Sequence, residues 1–521
     1  MILRPYREIL FDFLHEERQG IDGRRIGCLL LFAFLLRVPL LLYPEVIHND
    51  GAEYIRQATQ ILSGNWAGSR VPPFYAMLIA LAHTLVQNYE LAGIWVSVIF
   101  GTLVVLPVFY LGRELFDERV GMISALIASV HPLLSTASGS VLTESVYYFL
   151  LATSVLYGWY AFQRGRFVTI LAFGLLTSMA YLTRPEGIGL LFVFCVWVLA
   201  VRPYGEERRW MKRGGMIFIA ILSFLAFSSP YLIQLRIETG RWEISKKTSV
   251  SIGSLSGEEE TPSIDTIKRK KGMTLSSLVK NPLSVVGRIG VGILDSFYKF
   301  QQGYDPVLFV LAILGWIFLF KNKKRYSLKG SFYLLAYLVF LFGFILPFFW
   351  VTRRYTSQMI PISLPWAGIG FLGVVDRVKH RFPEKKGVKA IPVILLVLLL
   401  GGLLVQGRVI HPREHRVIQK EAGLWMKKHL PRDARVMSAM PQEAFYAELP
   451  WDRMPKGAYE EILHSARSDG VRYFVINEKT EEDSPRFLEK MKKEDLVLLM
   501  EWKMKNRKIG LFEVVYPAGK G

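Results

Sequence analysis

The segment His48-Asn49-Asp50-Gly51-Ala52-Glu53-Tyr54-Ile55-Arg56-Gln57-Ala58 carries two carboxylates at helical spacing. Asp50, Glu53 and Gln57 stand at i, i+3 and i+7 and share one face of a helix, with Tyr54 beside them and His48 just ahead. A positioned carboxylate can take a proton from an attacking hydroxyl or amine as a general base. Asp50 can equally be an ordinary N-cap, as can Asn49, for a helix running to Leu62 with Gly64 as its stop. Three more charged stretches sit at the edges of apolar runs: Thr143-Glu144-Ser145, Thr183-Arg184-Pro185-Glu186-Gly187 and Thr352-Arg353-Arg354-Tyr355. Guanidinium groups there can grip an anionic headgroup through their bidentate fork. They can also simply snorkel to ordinary phospholipids.

These residues are positioned by apolar runs. The chain has 521 residues, 51% of them hydrophobic, and a mean hydropathy of +0.28. A helix crossing the hydrocarbon core needs about 20 apolar residues. Runs approaching that length fall at 26–43, 91–111, 120–136, 144–162, 167–182, 187–201, 215–233, 305–320, 331–350, 356–375 and 390–408, about eleven spans in all. The first run follows Arg24-Arg25 but lacks a small-residue cleavage site, which reads as a retained span rather than a signal peptide. Basic residues concentrate in alternate short loops: Arg113 and Arg119; Arg164 and Arg166; Arg202 to Arg213; Lys321 to Arg325; Arg377 to Lys389. The positive-inside rule puts these loops and the N-terminus in the cytoplasm. The loops 44–90 and 234–304 and the tail then face outward. Pro72–Val86 fits an interfacial or re-entrant helix, because a full span there would break the charge pattern.

Three parts follow: a cytoplasmic segment 1–25, a membrane domain 26–409 and an external domain 410–521. In the tail, helices expected at 421–430, 459–468 and 485–493 alternate with strands near 435–438, 471–477, 496–501 and 509–515. That is a small α/β domain. No glycine-rich phosphate loop opens any of its helices, which suits a lid or docking role.

Other chemistries find little support. The net charge of +20 is accounted for by the basic loops and points to membrane lipid rather than nucleic acid. Cys28 and Cys195 lie within apolar runs, and no Cys/His cluster has metal-ligand spacing. No metal is expected from this pattern, although a divalent ion is not excluded, and no other cofactor is implied. Glu258-Glu259-Glu260 reads as a solvated run in a polar loop rather than a Mg²⁺ clamp.

The order of these motifs resembles the glycosyltransferase-C superfamily, closest to its protein O-mannosyltransferase-like and aminoarabinose-transferase-like branch (family 39). That order is a first span, an Asp-containing outer helix, Arg70-Val71-Pro72-Pro73-Phe74-Tyr75, Leu111-Gly112-Arg113-Glu114-Leu115-Phe116, Leu142-Thr143-Glu144-Ser145, Leu182-Thr183-Arg184-Pro185-Glu186-Gly187, Arg354-Tyr355 and a soluble tail. The resemblance implies inverting, metal-independent sugar transfer from a polyprenyl phosphate to a glycan, lipid or protein acceptor. It implies Asp50 as base, with Glu53 as a second acid. Many members have adjacent Asp-Glu, whereas here Gly51 follows Asp50. Arg184, Arg353, Arg354 and Tyr355 match positions that hold the donor phosphate, Lys246-Lys247 in the long loop is a weaker match to them, and His48, Tyr54, Glu144, Glu186 and Lys246 would line the pocket. Three rivals compete: an O-antigen ligase or polymerase, a flippase or transporter, and a non-catalytic scaffold. A transporter would favour intramembrane charges and a repeat between halves, and neither is evident.

Overall fold

The computed structural model describes residues 23–42, 46–64, 71–201, 210–246, 282–322, 326–346, 352–381, 391–409 and 417–516, the last without 456, 485–486, 488–489, 493 and 505–506. Arg70, Lys247, Glu258–Glu260 and most of the segment 1–25 lie outside the described residues.

The first helices are α1 (Gly23–Leu42), α2 (Asn49–Leu62), α3 (Phe74–Val86), α4 (Tyr89–Leu103), α5 (Val105–Leu115), α6 (Glu118–Val130) and α7 (Pro132–Ser138). Then come α8 (Glu144–Arg164), α9 (Phe167–Thr183), α10 (Ile188–Ala200), α11 (Trp210–Thr239), α12 (Pro282–Tyr304) and α13 (Pro306–Lys321). The membrane domain ends with α14 (Leu328–Phe340), the short α15 (Arg353–Thr356), α16 (Ile360–Arg381) and α17 (Ile391–Val409). Every span expected from the apolar runs is represented by helix.

Their division differs from the expectation of eleven. Among the described residues four helices are long and apolar enough to cross a membrane, or up to six when each of two bent pairs counts as one. The breaks have local causes. Pro132 follows His131 and splits the expected span 120–136 into α6 and α7, bent by 55°; proline cannot donate within a helix. Asp305-Pro306 turns the chain by 108° between α12 and α13. Asp305 adopts a positive φ of 78° and accepts from the Val307 and Leu308 amides at 2.8 and 3.2 Å, starting the new helix. The stretch expected as loop 234–304 therefore ends in a helix, and α11 runs on to Thr239.

Helices approach closely where glycine allows it, as in other membrane bundles. A Cβ on Gly370 would lie 1.8 Å from the Leu311 carbonyl oxygen, and one on Gly315 would lie 1.9 Å from that of Trp366. These two glycines let α13 and α16 touch backbone to backbone.

One charge within the bundle was not anticipated from the sequence. Arg37, in the C-terminal half of α1, is fully buried. Its Nε donates to Ser138 Oγ at 3.1 Å, and Nη1 donates to the carbonyls of Ala33 and Ser129 at 2.9 and 3.1 Å. Ser129 and Ser138 sit at the C-terminal ends of α6 and α7, where carbonyls lack intrahelical partners and the helix dipole is negative. The cation is thus accommodated by the same break that bends the α6–α7 pair.

The C-terminal domain contains α18 (Val417–His429), β1 (Val436–Ser438), α19 (Gln442–Ala447), β2 (Trp451–Arg453), α20 (Tyr459–Ser468), β3 (Tyr473–Ile476), α21 (Glu478–Asp483), β4 (Leu496–Met504) and β5 (Arg507–Val514). Its sheet runs β2-β1-β3-β5-β4, with β1 parallel to both β2 and β3 and the last pairs antiparallel. Apolar clusters cover both sheet faces, one built on Ile418, Met426 and Leu511, the other on Ile462, Phe474 and Phe487. The α/β reading of the tail agrees with this sheet. The helix expected at 485–493 falls largely outside the described residues. Three short elements, α19, β2 and α21, were not expected.

Candidate active site

Four separated segments meet at the end of the bundle expected to face outward. The start of α2 brings Asp50, the start of α8 brings Glu144, the turn after α9 brings Arg184 and Glu186, and α15 brings Arg354. Arg354 Nη1 donates to Asp50 Oδ2 at 2.8 Å, and its Nε donates to Glu144 Oε1. The same Glu144 oxygen accepts from Arg184 Nη1 at 3.1 Å. Arg184 Nη2 lies 3.5 Å from Glu186 Oε1. The result is an alternating chain, Asp50–Arg354–Glu144–Arg184–Glu186.

Local structure explains each placement. Asp50 is not the N-cap of α2. His48 takes that role, its Nδ1 accepting from the Asp50 amide at 3.4 Å. Asp50 stays in the first turn, where the helix dipole favours an anion, and its carboxylate is left for Arg354. Gly51 explains how α2 comes so near the start of α8. A Cβ there would lie 2.8 Å from the Val141 carbonyl oxygen and 2.9 Å from Ile47 Cγ1, and one on Gly93 would lie 2.7 Å from Val141 Cγ1. Val141 is wedged between two glycines, which seats Glu144 against α2. A second acid directly after Asp50 has no room. At the Arg184 turn, a Cβ on Gly187 would come within 2.4 Å of the Tyr181 amide nitrogen, so this tight reversal also requires glycine.

The chain grades from buried to open. The side chains of Glu144 and Arg184 are 3% and 8% exposed, those of Arg354 and Asp50 27% and 37%. The Arg184 guanidinium lies between two rings, 5.2 Å from the centre of Tyr355 and 5.6 Å from that of Tyr147. Burial would lower its pKa, but the Glu186 and Glu144 carboxylates more than offset this and hold it well above the ordinary arginine value. It stays cationic. The backbone of Arg354 is pinned by Ser357, whose Oγ donates to the Arg354 carbonyl at 2.8 Å and lies 2.5 Å from Tyr148 OH.

The other expected site residues fall around this chain. Tyr54 is buried and meets Tyr75 edge-on at 5.1 Å. Glu53 makes two hydrogen bonds with Arg56, at 2.5 and 3.0 Å, and Gln57 is buried and donates to the Val71 carbonyl, so the shared face drawn from spacing is divided. Arg353 is exposed beside the chain. Lys246 pairs with Glu238 where the chain folds back over the end of α11, held by Tyr181 OH donating to the Ile244 carbonyl at 2.6 Å. Among the described residues, no group of three or more His, Cys, Asp or Glu is placed to hold a metal ion.

Sequence reasoning passed over Tyr147, Tyr148, Ser357, Gln442 and Tyr446. The two α8 tyrosines follow Glu144 at i+3 and i+4 and could have been found as residues of its face. Ser357 follows Arg354 at i+3, whereas nothing local marks Gln442 and Tyr446, which arrive from hundreds of residues away.

The architecture is that of an integral membrane protein with a charged site at one end of a helical bundle, topped by a small α/β domain. Residues 70–233 match the family described as dolichyl-phosphate-mannose-protein mannosyltransferase. The whole chain is similar in fold to ArnT from Cupriavidus metallidurans bound to undecaprenyl phosphate, with a TM-score of 0.61 at 12% identity over 96% of this chain and 100% of that one. It is also similar to the Archaeoglobus fulgidus oligosaccharyltransferase, with a TM-score of 0.60 at 15% identity over 87% of this chain and 68% of that one. No curated protein sequence matches. The chain thus has the fold of these transferases, and its residues 70–233 match the mannosyltransferase family on the same fold.

Proposed function

We propose that this protein is an inverting membrane glycosyltransferase that takes a sugar from a polyprenyl-phosphate donor at the outer membrane surface. The observation that carries this reading is the Asp50–Arg354–Glu144–Arg184–Glu186 chain, which joins four segment ends into one site. ArnT with undecaprenyl phosphate and the oligosaccharyltransferase with dolichol-phosphate show lipid phosphates bound on this fold.

In the reaction, an acceptor hydroxyl or amine attacks the anomeric carbon as its proton passes to the Asp50 carboxylate. The bond from that carbon to the phosphate oxygen breaks, and its electron pair stays with the departing polyprenyl phosphate. A cation placed where that charge grows lowers the barrier. Arg354, half-buried and turned toward Asp50, and the exposed Arg353 suit this role. Arg184 is committed to Glu144 and Glu186 and sits deeper, so its larger part is to hold Glu144, which in turn aims Arg354. With the N-terminus cytoplasmic, the site and the C-terminal domain face outward, as the basic loops require.

The test is turnover by the purified full-length protein in nanodiscs, with undecaprenyl-phosphate mannose and a panel of other undecaprenyl-phosphate sugars. Release of undecaprenyl phosphate, lost in Asp50→Asn, is expected for at least one donor. Release from none of them, or equal release by Asp50→Asn, would refute the proposal.

A further inference from the structure

Among the described residues, the C-terminal domain reaches the turn before Asp50 through the short helix α19. Gln442 Nε2 donates to Asn49 Oδ1. Tyr446 OH accepts from the Ile47 amide at 2.8 Å and donates to Glu90 Oε1 at 2.7 Å. Lys420, on α18, closes the corner, with Nζ 3.7 Å from Glu90 Oε2 and 4.9 Å from the Tyr446 ring centre. Tyr446 is buried and packs within the apolar core of the membrane domain, although it belongs to the other domain.

The gripped residues are the ones that lead into Asp50. Ile47 and Asn49 are held by α19, and His48 between them caps the Asp50 amide. The clamp is itself anchored. Glu443, next to Gln442, accepts through Oε1 from Gln419 Nε2 at 3.2 Å and from Asn477 Nδ2 at 3.0 Å, tying α19 to α18 and to the end of β3. A rigid path therefore runs from the sheet of the C-terminal domain to the first turn of α2.

We propose that Tyr446 and Gln442 are positioning residues that fix the aim of the Asp50 carboxylate, making the C-terminal domain part of the catalytic apparatus without touching the reacting atoms. This rests on the reading of Asp50 as base. A base works only within hydrogen-bond reach of the proton it takes. A displacement of about 1 Å can cost on the order of 10²-fold in rate. A helix whose first turn is loosened loses that aim while its donor contacts remain.

The experiment uses the full chain in nanodiscs and compares wild type with Tyr446→Phe, which keeps the ring and its packing but removes the hydroxyl. Hydrogen exchange over residues 46–52 is expected to quicken, while exchange in β1, β3 and α20 stays as in wild type. With the undecaprenyl-phosphate sugar of the panel that wild type turns over fastest, kcat is expected to fall about 10- to 100-fold with the donor KM unchanged. In an Asp50→Asn background the same substitution should add no further loss, because a base that is absent cannot be misaimed. Gln442→Ala should act in the same direction. Unchanged exchange over 46–52, an unchanged kcat, or loss of protection throughout the C-terminal domain would each overturn the proposal. Full activity of Asp50→Asn alone would instead remove the reading of Asp50 as base, whatever the exchange data show.

Discussion

Arg354 Nη1 donates to Asp50 Oδ2 at 2.8 Å, joining residues 304 positions apart in the chain. This contact separates two roles that sequence alone leaves mixed, because the cap of α2 is His48 and the Asp50 carboxylate is engaged elsewhere. Asp50→Asn keeps an acceptor oxygen for Arg354 and should leave folding intact. It cannot take a proton, and loss of a positioned base costs about 10²- to 10⁴-fold in rate. Glu53→Gln removes only the partly exposed pair with Arg56, worth about 0–1 kcal/mol in stability. Parallel measurements of undecaprenyl phosphate release should show Asp50→Asn nearly inactive and Glu53→Gln close to wild type. Equal losses in the two variants would mean that both acids serve the reaction.

Glu144 is the hub of the charged chain, accepting from both Arg184 and Arg354 through one oxygen. Removing one partner of a buried ion pair leaves the other desolvated and unpaired, at a cost of about 3–5 kcal/mol. Glu144→Ala should therefore lower the thermal midpoint of the purified protein sharply. Glu144→Ala combined with Arg184→Leu should recover part of that loss, since the stranded cation is gone. No recovery in the double variant would show that Arg184 has other support.

The two arginines should separate in donor binding. Arg354→Leu is expected to weaken binding of undecaprenyl phosphate, read as a smaller ligand-induced rise in melting temperature. Arg184→Leu should first reduce stability, with binding affected through Glu144. If Arg184→Leu abolishes binding while the melting temperature of the free protein is unchanged, Arg184 is the direct phosphate ligand.

Gly51 sets the distance between α2 and the start of α8. Gly51→Ala places a methyl group against the backbone oxygen of Val141, which cannot swing aside as a side chain tip would. The helix must retreat, and the Asp50–Arg354 contact lengthens. Turnover should fall by about 10-fold or more, with the protein still inserted. Wild-type turnover in Gly51→Ala would show that the close approach does not set the position of Asp50.

The orientation can be read by cysteine labelling in a background lacking Cys28 and Cys195. Ser468, on the C-terminal domain, and Asn322, at the end of α13, are both exposed. An impermeant maleimide added to intact cells should label Ser468→Cys at once and Asn322→Cys only after permeabilisation. The reverse pattern would invert the topology.

Much of this molecule is legible from residue order. Apolar runs of membrane length dictate helices, because unpaired backbone groups are too costly in hydrocarbon, and basic loops set the orientation expected for them. The motifs at Asp50, Glu144, Arg184 and Arg354 stand out for the same reason, since charges at the edge of apolar runs are expensive unless used. The position of β1, β3, β4 and β5 follows from alternation in the tail.

What sequence could not supply is the pairing of groups brought together only by folding. Spacing on α2 suggested that Asp50, Glu53 and Gln57 act on one face. Their partners Arg354, Arg56 and Val71 instead pull them to three different tasks. Arg37 was hidden within an apolar run, because the helix ends that satisfy it lie some ninety residues or more further on. The helix α19 is too short to announce itself by periodicity, yet it places Gln442 and Tyr446 on the turn before Asp50. Local sequence sets the helices through nearest-neighbour hydrogen bonds and hydropathy. The site depends on long-range contacts whose geometry exists only once the bundle has closed and the C-terminal domain has docked on it.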